Sequence, residues 1–120
     1  MNTPSYLQNA TAAPLGKADM AWFVDLVFAP IEDSADPRIN LSSRVDLQNL
    51  APATVILAQI DPLRSEGATY ALALNAAGVE VEMRTYDAVT HEFFGMSAVV
   101  PQAVEAMAFA TARLRAAFAG

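Results

Sequence analysis

The sequence predicts an α/β fold built on a mostly parallel sheet. Three observations predict it. The run Thr54-Val55-Ile56-Leu57-Ala58 is continuously apolar, which suits a strand covered on both faces inside a parallel sheet. A second strand-like run, Val79 to Tyr86, alternates Val79/Val81/Met83 with Glu80/Glu82/Arg84, as an outer strand with one wetter face does. Stretches with apolar residues at helical spacing precede, separate and follow these two runs. The order helix–strand–helix–strand–helix implies α/β packing with right-handed crossovers.

Each element follows from local sequence. Residues 1–16 are small and polar, with Pro4, Pro14 and Gly16, and read as an irregular lead-in. Lys17 to Ala29 reads as a helix with a stripe of Met20, Phe23, Val24, Val27 and Phe28. Trp22 and Leu26 add apolar bulk on another side, so two faces of this helix are fit for cover. Pro30 ends it. Ile31 to Asn49 reads as an ordered loop with acidic character at Glu32, Asp33 and Asp36; an Asp36–Arg38 pair would stiffen it.

Pro52 leads into the first strand, Ala53 to Gln59. A helix then spans Leu63 to Ala77, with Leu63, Gly67, Tyr70, Ala71 and Leu74 on one face and Gly78 suited to the residue after its end. The second strand gives way to a loop from Asp87 to His91. Pro101 opens a last helix to Phe118, with Val104, Met107, Thr111, Leu114 and Phe118 on one stripe.

Bulk composition narrows the function classes. The chain has 120 residues, the size of one small domain or of part of a larger one. A net charge of −6 with only seven Lys and Arg argues against nucleic-acid or anionic-membrane partners, which need clustered basic residues. There is no cysteine, which removes disulfide and thiolate chemistry and fits a reducing, cytoplasmic setting. The N-terminus lacks the basic and apolar regions of a signal peptide. No uncharged apolar run approaches about 18 residues, so no membrane-spanning helix is expected. One histidine and no tight carboxylate cluster leave no metal site in view.

Two residues at strand ends carry the chemistry. Asp61 follows the first strand, in Ile60-Asp61-Pro62-Leu63-Arg64, and His91 follows the second, in Val89-Thr90-His91-Glu92-Phe93-Phe94-Gly95. Ligands and catalytic groups gather at that edge of an open parallel sheet. Adjacent strands would let Asp61 accept a hydrogen bond from one ring nitrogen of His91, fixing its tautomer and stabilising the imidazolium. Plainer readings stand beside this one. Asp61 before proline suits a turn or helix cap, and a lone histidine suits a packed or surface position. Asp before His is the second half of the Ser…Asp…His order, but no G-x-S-x-G and no HGGG-type segment occurs. Ser5, Ser34, Ser42, Ser43, Ser65 and Ser97 are available. Gly95-Met96-Ser97-Ala98-Val99 resembles half a nucleophile elbow with Val99 in place of the second glycine, and Ser97 reads better as a helix lead-in.

The segment Pro52-Ala53-Thr54-Val55-Ile56-Leu57-Ala58-Gln59-Ile60-Asp61-Pro62-Leu63-Arg64-Ser65-Glu66-Gly67 resembles the acid-residue region of bacterial hormone-sensitive-lipase-like esterases, which have the α/β-hydrolase fold. So do Ala76-Ala77-Gly78-Val79 and Arg84-Thr85-Tyr86-Asp87-Ala88-Val89-Thr90-His91-Glu92-Phe93-Phe94-Gly95-Met96, with Trp22-Phe23, Asp36-Pro37-Arg38-Ile39 and Asp46-Leu47 upstream.

The resemblance implies that residues 17–120 form the C-terminal part of an α/β-hydrolase domain. It also implies that Asp61 is the triad acid, that His91 is the base, and that small carboxylic esters are hydrolysed without a cofactor. The family's nucleophile elbow and oxyanion loop lie upstream of the part represented here, so the isolated chain is expected to be weak or inert. Many members have glycine where this chain has Glu92. A sheet of two strands is short of neighbours, and 54% hydrophobic residues is high for this length. Both features point to a homo-oligomer or a complementing chain, or alternatively to a non-catalytic, self-associating α/β module.

Overall fold

The structure, a computed structural model, describes residues 1–28 and 36–119. Two strands, β1 (Ala53–Ile60) and β2 (Val81–Thr90), pair in parallel. Helix α3 (Arg64–Ala76) connects them, and α4 (Pro101–Phe118) follows β2. Helices α1 (Pro4–Gln8) and α2 (Lys17–Val27) precede the sheet. Short 3₁₀ turns occur at Leu41–Ser43 and Phe93–Gly95.

Successive side chains of β1 point to opposite faces of the sheet. Leu57 lies against α3, where a Cβ added to Gly67 would sit 2.7 Å from its side chain. Leu74 of α3 and Val79 join the buried Leu47 of the preceding loop in one core cluster. Ala58 faces the other way and forms a second cluster with Tyr86, Val89, Phe93, Ala103 and Ala106 beneath α4. The sheet is therefore covered on both faces, as its continuous apolar run requires. Gly78 follows the C-cap of α3, Ala77, and its φ of 86° is a left-handed conformation open to glycine at little cost.

Four expectations are corrected. The lead-in is not irregular throughout. Pro4 opens the short helix α1, whose Ser5 and Tyr6 are fully buried against the start of α3. A single tyrosine ring and a hydroxyl with internal partners suffice to dock it, a signal too short for periodicity to show. α2 ends at Val27, two residues early, and buries none of its residues; Trp22, Phe23, Leu26 and Val27 are exposed. Pro30, Glu32 and Asp33 lie outside the described residues.

β2 runs on through Thr90 across an irregularity, so Asp87 to Thr90 are strand rather than loop. Finally, α4 turns a different stripe inward. Ala103, Ala106 and Phe109 are buried, while Val104, Met107, Leu114 and Phe118 are exposed. Two apolar stripes compete on this helix, and the alanines win because small side chains let it approach the sheet closely. The Asp36–Arg38 pair forms as expected, at 2.7 Å, and it holds the Asp36 carboxyl down at about 2. Among the described residues no helix is long and apolar enough to cross a membrane.

Candidate active site

The C-terminal ends of β1 and β2 bring Asp61 and His91 together. Asp61 Oδ2 lies 2.8 Å from His91 Nδ1. A carboxylate only accepts, so Nδ1 carries the proton and Nε2 is left as the basic nitrogen. The Asp61 side chain is 12% exposed and that of His91 33% exposed. The acid is thus shielded and the ring stays within reach of a ligand.

Leu63 is the N-cap of α3 and no side chain caps it, so the helix-cap reading fails and the turn reading holds for Asp61. Its other oxygen, Oδ1, accepts the Leu63 backbone N–H at 2.7 Å and closes the turn into α3. One carboxylate therefore fixes the turn and orients the imidazole together.

Several residues that sequence reasoning missed brace this turn. Ser5 Oγ donates to the Pro62 carbonyl at 2.6 Å and accepts the Ser65 N–H at 2.9 Å. Ser65 Oγ in turn accepts the Ser5 N–H at 3.1 Å. Asn9 Nδ2 donates to the Asp61 carbonyl at 3.1 Å. Ser5 and Asn9 are buried, so these bonds replace water the groups have given up. A buried phenol completes the set. Burial, and then the nearby Glu66 and Asp61 carboxylates, push Tyr6 up to about 12. These contacts span 52 to 60 positions of sequence, and no local pattern announces them.

His91 borders an apolar cleft of about 350 Å³, lined by Ile56, Ala58, Glu92, Phe93 and Phe94. Phe93 is buried in the core beneath α4, while Phe94 is 42% exposed. Phe93 thus serves mainly as packing. Glu92 has φ 72°, a left-handed conformation that favours glycine.

No serine reaches His91 among the described residues. Ser5 and Ser65 are occupied with each other, Ser42 and Ser43 bond to Asn40, and Ser97 is exposed on the approach to α4. Ser34 lies outside the described residues. No group of three metal-ligating side chains occurs among the described residues.

A family model for the alpha/beta hydrolase fold matches residues 1–95. Carboxylesterase NlhH of Mycobacterium tuberculosis is 36% identical over 125 residues, covering 98% of this chain and 38% of its own length. The ethyl acetate hydrolase of Pseudomonas putida is 31% identical over 104 residues, covering 87% of this chain and 33% of its own. A solved esterase from Pyrobaculum calidifontis superposes with a TM-score of 0.91 at 31% identity, covering 98% of this chain and 39% of its own. The chain thus spans well under half the length of the curated relatives it matches.

Proposed function

This chain belongs to the alpha/beta hydrolase fold family, and we propose that within it Asp61 and His91 are the acid and base of a serine-type carboxylesterase. The observation that carries the reading is the 2.8 Å Asp61–His91 bond at the ends of adjacent parallel strands, beside an apolar cleft. The substrate class is small carboxylic esters. Nε2 of His91 takes the proton of a serine hydroxyl as it attacks the ester carbonyl, then returns it to the leaving alcohol. Asp61 holds the tautomer and stabilises the imidazolium between these steps. The acyl-enzyme is cleared by water activated in the same way. The serine and the oxyanion donors come from a polypeptide segment outside these 120 residues.

The exposed apolar side chains of α2 and α4 support the need for such a segment, since Trp22, Leu26, Leu114 and Phe118 are each more than half exposed. They also favour the second reading, self-association of a non-catalytic module. Two measurements separate the readings. The purified chain alone should gain no mass from a fluorophosphonate serine probe. The same chain joined to the upstream part of the Mycobacterium tuberculosis relative should label at one serine and hydrolyse a short-chain activated ester. That activity should fall at least about 10³-fold on His91→Ala. A folded, labelled fusion whose activity is indifferent to His91→Ala refutes the proposal. A stoichiometric adduct on the isolated chain refutes the external nucleophile.

A further inference from the structure

The two strands do not stay in one register. Ala53 pairs with Val81, and the ladder runs evenly to Ala58 with Tyr86. The next pair is Ile60 with Thr90, so two steps along β1 meet four along β2. Continued evenly, this sequence would set Ile60 against Ala88 and Asp61 against Val89. The irregularity instead brings Thr90 level with Ile60, and the next step on each strand is Asp61 and His91. It also changes which residues face inward. Tyr86 and Val89 both pack beneath α4, although they are three positions apart and an even strand would turn them to opposite faces.

Two features hold the irregularity. Ala88 takes φ 57°, a left-handed conformation that costs a residue with a Cβ free energy. Its N–H, displaced from the ladder, is accepted by the side chain of Gln59, Oε1 to N 2.8 Å. Gln59 is the β1 residue skipped between the two pairs, and its own carbonyl accepts a hydrogen bond from Arg64 Nη1 at 2.7 Å. Its side chain supplies the acceptor that the neighbouring strand would otherwise supply.

We infer that Gln59 is a positioning residue for the proposed triad: by accepting the Ala88 N–H it fixes a bulge in β2 that brings His91 into register with Asp61. It touches neither reacting group and acts only through the backbone. The inference rests on the reading of Asp61 and His91 given above, but its test needs no serine. His91 is the single histidine, so its imidazole signals in an NMR spectrum of the isolated chain are unambiguous. Gln59 is exposed, so its replacement does not open the core.

Gln59→Leu removes the acceptor at similar size, while Gln59→Glu retains one. In Gln59→Leu, solvent exchange of the Ala88 amide and of the His91 Nδ1–H should each accelerate about five- to tenfold, the effect of losing one net hydrogen bond. The amides of Val55 and Leu57, which face β2 in the even part of the ladder, should keep their protection. Gln59→Glu should restore slow exchange at both sites. Unchanged His91 Nδ1–H exchange in Gln59→Leu overturns the inference and leaves the catalytic proposal standing. So does a Gln59→Glu that behaves like Gln59→Leu, which also decides the matter should the leucine variant fold poorly. Failure of the serine-labelling experiment, in turn, leaves this result untouched.

Discussion

Replacing Glu92 by glycine should stabilise the chain, although it removes a side chain beside the proposed base. Glu92 sits at φ 72°, ψ −6°, where the Cβ crowds the backbone and costs an L-residue about 1–2 kcal/mol. Glycine escapes that cost but gives up roughly 0.5–1 kcal/mol more backbone entropy on folding. Among the described residues the Glu92 carboxylate makes no hydrogen bond or ion pair that would be lost. The difference favours Glu92→Gly by about 0.5–1 kcal/mol, or roughly 2–5 °C in the melting temperature of a domain of this size. Chemical and thermal melts followed by circular dichroism measure it, and Glu92→Ala is the control. Alanine keeps the left-handed penalty and loses only the charge, so it should melt with the parent chain. Equal stabilisation by both variants would show that charge rather than backbone strain is the cause. No stabilisation by glycine would refute the strain argument altogether. The outcome bears on the resemblance as well. A left-handed residue after the histidine is a physical reason for glycine to stand there in many esterases of this type.

Three further outcomes follow from the same geometry. With Tyr6 raised from 10.0 to about 12, the phenol is neutral in both states below pH 10 and its share of stability is intact. Between about pH 10 and 12 the unfolded chain releases the proton and the folded chain does not, so stability should fall by up to ~3 kcal/mol. Parallel urea melts of the parent and Tyr6→Phe across that range test this, and identical pH slopes would refute it. Asp61→Asn retains an oxygen for the Leu63 N–H whereas Asp61→Ala does not, so alanine should cost about 1 kcal/mol more in a denaturant melt; equal losses would show that the turn bond contributes nothing. Ser5→Ala strands the Pro62 carbonyl and the Ser65 N–H away from water and should cost about 1–3 kcal/mol, and a neutral result would mean that α1 does not brace the turn.

How far the sequence could be read depends on which signals are local. The apolar run of β1, the glycine after α3 and the proline opening α4 act within a few residues, and each element formed where its pattern placed it. That Asp61 and His91 meet is legible because each follows a strand end within a distinctive local segment. The bulge was not. An extra pair of strand residues at Asp87 and Ala88 looks like the start of a loop, and the acceptor that captures the Ala88 N–H comes from the other strand. Ser5 and Asn9 were hidden for the same reason, since their partners lie across the fold. The reversal on α4 has a different cause. Periodicity ranks stripes by hydrophobicity and favours the one carrying Met107 and Leu114, while contact with a sheet selects for small size, and Ala103 and Ala106 supply it.

The turn role of Asp61 and its proposed catalytic role are compatible, because they use different oxygens. A turn bond made through one oxygen leaves the other free, but it removes most of the freedom of the side chain. With Oδ1 tied to the Leu63 N–H, Oδ2 has a direction as well as a charge, and that direction is towards His91. The entropy of ordering the carboxylate is therefore met by folding the turn, before any proton moves. The same economy appears on the other strand, where the bulge that interrupts the ladder also delivers the ring. Both groups are placed by backbone bonds that exist in the isolated chain, without help from a serine. The proposed acid–base pair is therefore assembled within these 120 residues, and the proposed hydrolysis would need only the segment that brings the nucleophile and the oxyanion donors.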